Sequence, residues 1–124
     1  MRREFLDKAT ENLESAEMLF DSGKFNASAN RAYYAVFHAA IFALSANGLV
    51  DENNGHEWVQ RTFNGELIYK RKIFSSEFRA YLQEIMSVRL EADYKQSFVG
   101  GKVCERQLRK AKELCNVIQT RYAT

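Results

Sequence analysis

Residues 25–47, FNASANRAYYAVFHAAIFALSAN, place the strongest constraint on how this chain folds. The segment reads as a helix that is apolar on almost every side, so it must be surrounded by other elements. Its many alanines allow those neighbours to approach closely. The pair Asn47-Gly48 ends the segment, because glycine accepts the left-handed conformation that often follows a helix. The segment therefore predicts a central, buried helix.

Helical periodicity continues over most of the remaining chain. The other predicted segments are a first helix whose apolar stripe runs from Phe5 to Phe20 and ends at Gly23, a third helix over residues 56–69, a fourth capped by Ser75 or Ser76, and a fifth over residues 102–122. The connections fall at residues 48–55 and 93–101. The chain has no proline and only six glycines, which argues against a sandwich or barrel with its many tight turns. We predict an all-α, antiparallel four- to five-helix up-and-down bundle that forms one domain over residues 1–124.

Charge is divided unevenly along a chain whose net charge is only +2. Residues 1–60 hold 5 basic and 9 acidic side chains, whereas residues 61–124 hold 13 basic and 7 acidic ones. The small net charge predicts no strong general affinity for nucleic acid. The basic C-terminal half, however, suits an acidic partner or a phosphate-bearing ligand. Ordinary variation among charged helix surfaces is the alternative interpretation.

Two cysteines, Cys104 and Cys115, fall in the last predicted helix. They would share one face at a separation of roughly 16 Å, which is too far for a disulfide. Free thiols, and an N-terminus without an apolar run behind its basic residues, predict a cytoplasmic protein. Histidine and cysteine show no metal-ligand spacing and no apolar run is long enough for a membrane span, so we predict no metal, no cofactor and no membrane association.

Polar residues on the central helix are the first candidates for chemistry. Arg31 and His38 are seven residues apart and share one face, with Tyr34 between them. An unpaired buried guanidinium costs several kcal/mol, so Arg31 must meet an acid if it is buried. We predict that this acid is Asp93. Two interpretations remain open: a buried ion pair that holds the bundle together, and a face that binds a ligand.

The segment RLEADY at residues 89–94 closes the fourth predicted helix, where polar groups can reach out of a bundle. If Asp93 pairs with Arg31, then Arg89 can face a phosphate. The alternative is that Arg89 pairs with Asp93 one helical turn away on the surface, which contributes less than about 1 kcal/mol.

Two further patterns are candidates for binding. His56 follows Gly55 at a predicted helix start, where a neutral imidazole can cap the helix or contact an anion held by the free amides, unless its role is structural. Both His38 and His56 titrate near neutrality, so either is a candidate acid or base. The run YKRKIF at residues 69–74 interleaves aromatic and basic side chains, as nucleic-acid surfaces do, although helix ends often have the same composition.

The segment RAYYAVFHAA at residues 31–40, a third helix that begins with histidine, and RLEADY before a final amphipathic helix together resemble the HEPN domain superfamily. The most similar branch contains small single-domain prokaryotic proteins with an R-x-Y-Y-A-x-F-H segment. The resemblance covers about residues 3–122. It implies a bundle of four or five helices, often a homodimer, which frequently occurs beside a small nucleotidyltransferase in a toxin–antitoxin pair.

In the ribonuclease members of this family, an Arg-x(4–6)-His motif from two protomers forms an RNA-cleaving site without a metal. This sequence departs from that pattern, because Tyr94 stands where the histidine after Arg89 is expected. The pair Arg31 and His38 has a similar spacing but lies in the second helix. A tyrosine with its ordinary pKa near 10 is a poor general base at pH 7.

Three functional hypotheses follow. The first is a HEPN-family protein that binds nucleotide or RNA phosphate and pairs with a nucleotidyltransferase-type partner; the second is a metal-independent endoribonuclease toxin; the third is a non-catalytic helical interaction subunit. The candidate binding residues are Arg31, Tyr34, His56 and Asp93, and the candidate catalytic residues of a ribonuclease are Arg89, His38 and Tyr94. Aromatic residues near helix ends that we expect to be exposed in a homodimer surface are Tyr69, Phe74 and Phe98.

Overall fold

The computed structural model describes residues 2–95 and 98–123. This part of the chain forms five α-helices and one π-helix. They are α1 (Arg3–Asp21), α2 (Phe25–Ala46), α3 (His56–Thr62), a π-helix (Phe63–Lys70) that continues directly from α3, α4 (Glu77–Tyr94) and α5 (Gly101–Arg121). The predicted all-α bundle is confirmed.

The central position of α2 follows from its small apolar side chains. Thirteen of its 22 residues are buried, and it packs against α1, α3, α4 and α5. Ser28 on this helix is fully buried, and its hydroxyl donates a hydrogen bond to the carbonyl of Ala16 at 2.7 Å. A buried hydroxyl needs such a partner, so this bond fixes α1 against α2.

Glycine ends both α1 and α2, as the sequence predicts. Gly23 has φ +76° and Gly48 has φ +77°, values that glycine adopts without strain. The connection between α1 and α2 is only three residues long, so the two helices run back along each other and bury a shared apolar face.

The third predicted helix, over residues 56–69, is only partly α-helical. From Phe63 it continues as a π-helix, in which the Arg71 amide donates to the Glu66 carbonyl five residues earlier, at 3.0 Å. The prediction that Phe74 is exposed is wrong. Its side chain is buried and stacks on the Phe63 ring at 5.4 Å, because the chain after the π-helix folds back onto the core.

The ends of α4 and α5 differ slightly from the predicted boundaries. The hydroxyl of Ser75 accepts the Glu77 amide at 3.4 Å at the start of α4, whereas Ser76 makes no side-chain cap. α4 continues to Tyr94, two residues into the predicted loop at 93–101, of which residues 96 and 97 lie outside the described part. Cys104 and Cys115 are both buried in α5 as free thiols. None of the described helices combines the length and the apolar character needed to cross a lipid bilayer.

Candidate functional site

The face of α2 that carries Arg31 meets α1 in a polar contact. Arg31 is half-buried, and its Nη1 donates to Oδ1 of Asn12 on α1 at 3.0 Å. Its Nε and Nη2 donate to Oδ1 of Asn30 at 3.0 and 2.5 Å. The guanidinium also lies 4.9 Å from the centre of the Tyr34 ring. Among the described residues, no carboxylate lies within 4 Å of Arg31, so only neutral groups hold its charge.

The predicted ion pair between Arg31 and Asp93 is wrong. Oδ2 of Asp93 instead lies 2.9 Å from Nε of Arg89, one turn earlier on α4. Both Asp93 oxygens also accept the amide Nδ2 of Asn30, at 3.1 and 3.0 Å. The physical reason is the side chain of Asn30, which lies between α2 and α4. Its Oδ1 accepts from the Arg31 guanidinium and its Nδ2 donates to the Asp93 carboxylate, so the amide separates the two charged groups. The pair is also more buried than the predicted surface alternative, because the side chains of Arg89 and Asp93 are 13% and 23% exposed.

Arg89 lies among aromatic rings. Its guanidinium carbon is 5.3 Å from the ring centre of Tyr33, 5.5 Å from that of Tyr34 and 6.0 Å from that of Tyr94. Its Nη2 donates to the Tyr34 hydroxyl at 3.2 Å. The buried Nε makes no well-directed hydrogen bond despite its 2.9 Å approach to Asp93, so that contact is mainly electrostatic. The tyrosine rings stabilise the cation through their negative faces.

His38 is held by the same asparagine that binds Arg31. Because Oδ1 of Asn12 accepts from Arg31, its Nδ2 donor faces Nδ1 of His38, at 3.2 Å. We therefore assign Nδ1 as the acceptor, which leaves the proton of a neutral imidazole on Nε2. Burial lowers the pKa of His38 below its ordinary value, and the positive charge of Lys8 adds to this effect. The imidazole is therefore neutral at pH 7.

His56 contacts a different hydroxyl on α2. Its Nδ1 lies 2.5 Å from the hydroxyl of Tyr33, and its ring stacks on Phe37 with 4.3 Å between centres. Burial raises the pKa of Tyr33 to about 12, so the phenol keeps its proton and its hydroxyl donates a hydrogen bond to Nδ1 of His56. Burial and the charge of Arg89 lower the pKa of His56. Of the alternatives considered for His56, the helix cap is excluded, since Gly55 occupies the N-cap position and no side chain caps α3.

The α2 polar cluster is our name for the network that these contacts form. It consists of Asn12, Asn30, Arg31, Tyr33, Tyr34, His38, His56, Arg89 and Asp93. All four candidate binding residues belong to it, as do the candidate catalytic residues Arg89 and His38. Tyr94 lies at its edge and is 74% exposed.

Sequence reasoning missed Asn12 and the bridging role of Asn30. Asn12 is three residues after Ala9 and four before Ala16, both buried, so a polar residue interrupts the apolar stripe of α1. That interruption was the available signal. The described residues contain no group of three histidine, cysteine, aspartate or glutamate side chains arranged to hold a metal ion.

The described part of the chain is a small all-α bundle in which two arginines, two histidines and two tyrosines lie together around the central helix. The family model described as HEPN domain matches residues 3–121, and the chain belongs to this family. No curated protein matches the chain significantly. Membership of the HEPN family supports a general function related to nucleotides or RNA.

Proposed function

We propose that the α2 polar cluster binds a phosphate group of a nucleotide or of RNA, with Arg31 as the principal contact. The observation that carries this proposal is the charge of Arg31, which is held at a half-buried position by two neutral asparagine oxygens. A phosphate can compensate this charge through the paired hydrogen bonds that a guanidinium favours. Arg89 is the second contact, because its charge is already shared with Asp93.

Tyr34 links the two arginines in this proposal. Its ring lies 4.9 Å from the Arg31 guanidinium and 5.5 Å from that of Arg89, and its hydroxyl accepts from Arg89. A base or ribose placed near Arg31 would contact this half-buried ring, which favours a nucleotide over inorganic phosphate.

A thermal-shift and calorimetric titration with ATP, GMP and a short single-stranded RNA tests the proposal. Arg31→Gln should weaken binding about ten- to a hundredfold, since a hydrogen bond to a charged group contributes about 1.5–3 kcal/mol. Lys102→Gln, which removes an exposed positive charge from α5, is the matched control and should bind like the parent chain. If none of these compounds binds, the phosphate proposal fails and the third hypothesis, a non-catalytic interaction subunit, takes its place.

The partner proposal rests on family resemblance. We propose that the chain forms a homodimer and pairs with a nucleotidyltransferase-type protein in a toxin–antitoxin-type system. Exposed Leu90 and Tyr94 beside the cluster support a protein contact at the end of α4. Purification from the native host, together with analytical ultracentrifugation at micromolar concentration, tests both parts. A monomer without a co-purifying nucleotidyltransferase would contradict them.

A metal-independent endoribonuclease is the second candidate function. The observation that favours it is the neutral state of His38 and His56. A neutral imidazole can accept the proton of a 2′-hydroxyl once the RNA displaces the donor at its Nδ1, which is Asn12 for His38 and Tyr33 for His56. Arg89 would stabilise the developing phosphate charge. Incubation with labelled RNA in EDTA tests this function. Cleavage that is lost in both His38→Gln and Arg89→Gln supports it, whereas an intact substrate at high protein concentration removes it.

A further inference from the structure

A large groove lies between the π-helix and the start of α4. Its volume is about 1160 Å³, and it opens to solvent beside the segment at residues 69–74. Arg79 on its wall and Arg89 in the α2 polar cluster are ten residues apart on α4, or about 15 Å along the helix axis. The groove is therefore separate from the α2 polar cluster.

Positive charge dominates the walls of this groove. Four cationic side chains line it, and none of the residues that line it is acidic. Those cations are Arg61, Lys70, Lys72 and Arg79. Arg61 and Lys70 contact Glu57 and Glu66, at 3.6 and 3.0 Å. Within the described part of the chain, Lys72 and Arg79 have no carboxylate within 4 Å, so their charges are available to an anion.

One further group in the groove, the ring of Tyr69, is suited to contact with nucleobases. The ring of Tyr69 is 76% exposed and lies on the groove wall next to Lys70. A base can stack on this ring. The π-helix carries Asn64, Tyr69 and Lys70 into the same groove.

We propose that this groove binds single-stranded RNA independently of the α2 polar cluster. Small-molecule pockets have volumes of about 300–1,000 Å³, so the groove exceeds the size needed for one nucleotide. An acidic peptide would use the cations but has no base to stack on the exposed ring of Tyr69. A polynucleotide uses both, because phosphates contact the cations while a base stacks on Tyr69.

Fluorescence anisotropy of a labelled 12-nucleotide RNA, measured across a range of salt concentrations, tests this proposal. The double variant Lys72→Asn/Arg79→Gln removes the two free charges. Asparagine is chosen at position 72 because Lys72 has φ +53°, a conformation that asparagine tolerates. Each lost phosphate contact should reduce the slope of log affinity against log salt by about 0.7, so the double variant should lose about 1.4. Tyr69→Ala should weaken binding about tenfold.

The control is Lys102→Asn/Arg106→Gln, which removes the same charge from exposed positions on α5. Unchanged binding in this control, with the losses above in the groove variants, supports the proposal. Equal losses in both double variants overturn the proposal, since RNA would then be attracted by positive charge anywhere on the surface. Full binding by Tyr69→Ala also overturns it, since the groove would then hold phosphates without contacting bases. Binding that is lost only in Arg31→Gln also overturns it and assigns the RNA to the α2 polar cluster. Binding lost only in the groove variants leaves the groove proposal intact and removes RNA as a ligand of the α2 polar cluster, whose nucleotide binding is tested separately by the titrations with ATP and GMP.

Discussion

Replacement of Asp93 by alanine should lower the free energy of unfolding by about 2 kcal/mol. Exposed ion pairs contribute less than about 1 kcal/mol, whereas loss of one partner from a fully buried pair costs about 3–5 kcal/mol. The side chains of Arg89 and Asp93 are 13% and 23% exposed, so water screens the stranded guanidinium only partly. The hydrogen bonds from Asn30 to Asp93 are lost as well. These terms together place the cost between the two limits.

Urea denaturation followed by circular dichroism measures this cost. With a slope of about 2 kcal/mol per molar urea, the midpoint should fall by about 1 M. A double-mutant cycle with Arg89→Met isolates the pair from the asparagine bonds, and Asp93→Asn tests the charge at nearly constant shape. A coupling energy below about 0.5 kcal/mol between positions 89 and 93 would refute the reasoning. It would mean that the tyrosine rings and water stabilise Arg89 without the carboxylate.

Three further outcomes follow from the buried polar and ionisable groups. Burial lowers the pKa values of His38 and His56 from 6.5, so the unfolded chain binds protons more strongly at these two residues than the folded chain does. Their contribution to the free energy of unfolding is therefore complete above about pH 6.5 and should be lost as the pH falls below that value. Urea melts between pH 5 and 8 check this, and a His38→Gln/His56→Gln variant that keeps the full dependence would contradict it. Ser28→Ala should cost about 1 kcal/mol through the lost bond to Ala16, as measured by the urea midpoint; no change would mean that the bond adds nothing to stability. Burial raises the pKa of Cys115 to about 12, so a thiol reagent at pH 8 should modify it only after denaturation, and rapid labelling of the native chain would show that α5 opens locally.

The helices were predictable because the apolar stripes repeat with the period of the α-helix and glycine ends α1 and α2. The π-helix was not, since Phe63 and Leu67 are buried there just as they would be in an α-helix. The exposure expected for Phe74 failed for a related reason: periodicity does not show where a chain folds back after a helix ends. Tertiary packing on Phe63 decides its position.

Membership of the α2 polar cluster was also partly predictable. Spacing along α2 placed Arg31, Tyr34 and His38 on one face, and the structure gathers them together. The partner of Arg31 was not predictable, because spacing along one helix does not reveal which residue of a neighbouring helix fills the space between. A neutral amide, Asn30, occupies that space and diverts Asp93 to Arg89.

The burial of α2 on several sides also determines how a bound molecule would alter hydrogen exchange. We expect the backbone amides at the buried positions of this helix to exchange with heavy water through unfolding of the entire molecule, because the other helices cover them. A ligand that binds only the folded chain at Arg31 should therefore slow the exchange of these amides by a common factor set by its affinity and concentration. Within α2, the exchange rate of a buried amide far from Arg31 would then report occupancy of the site as faithfully as that of an amide beside it.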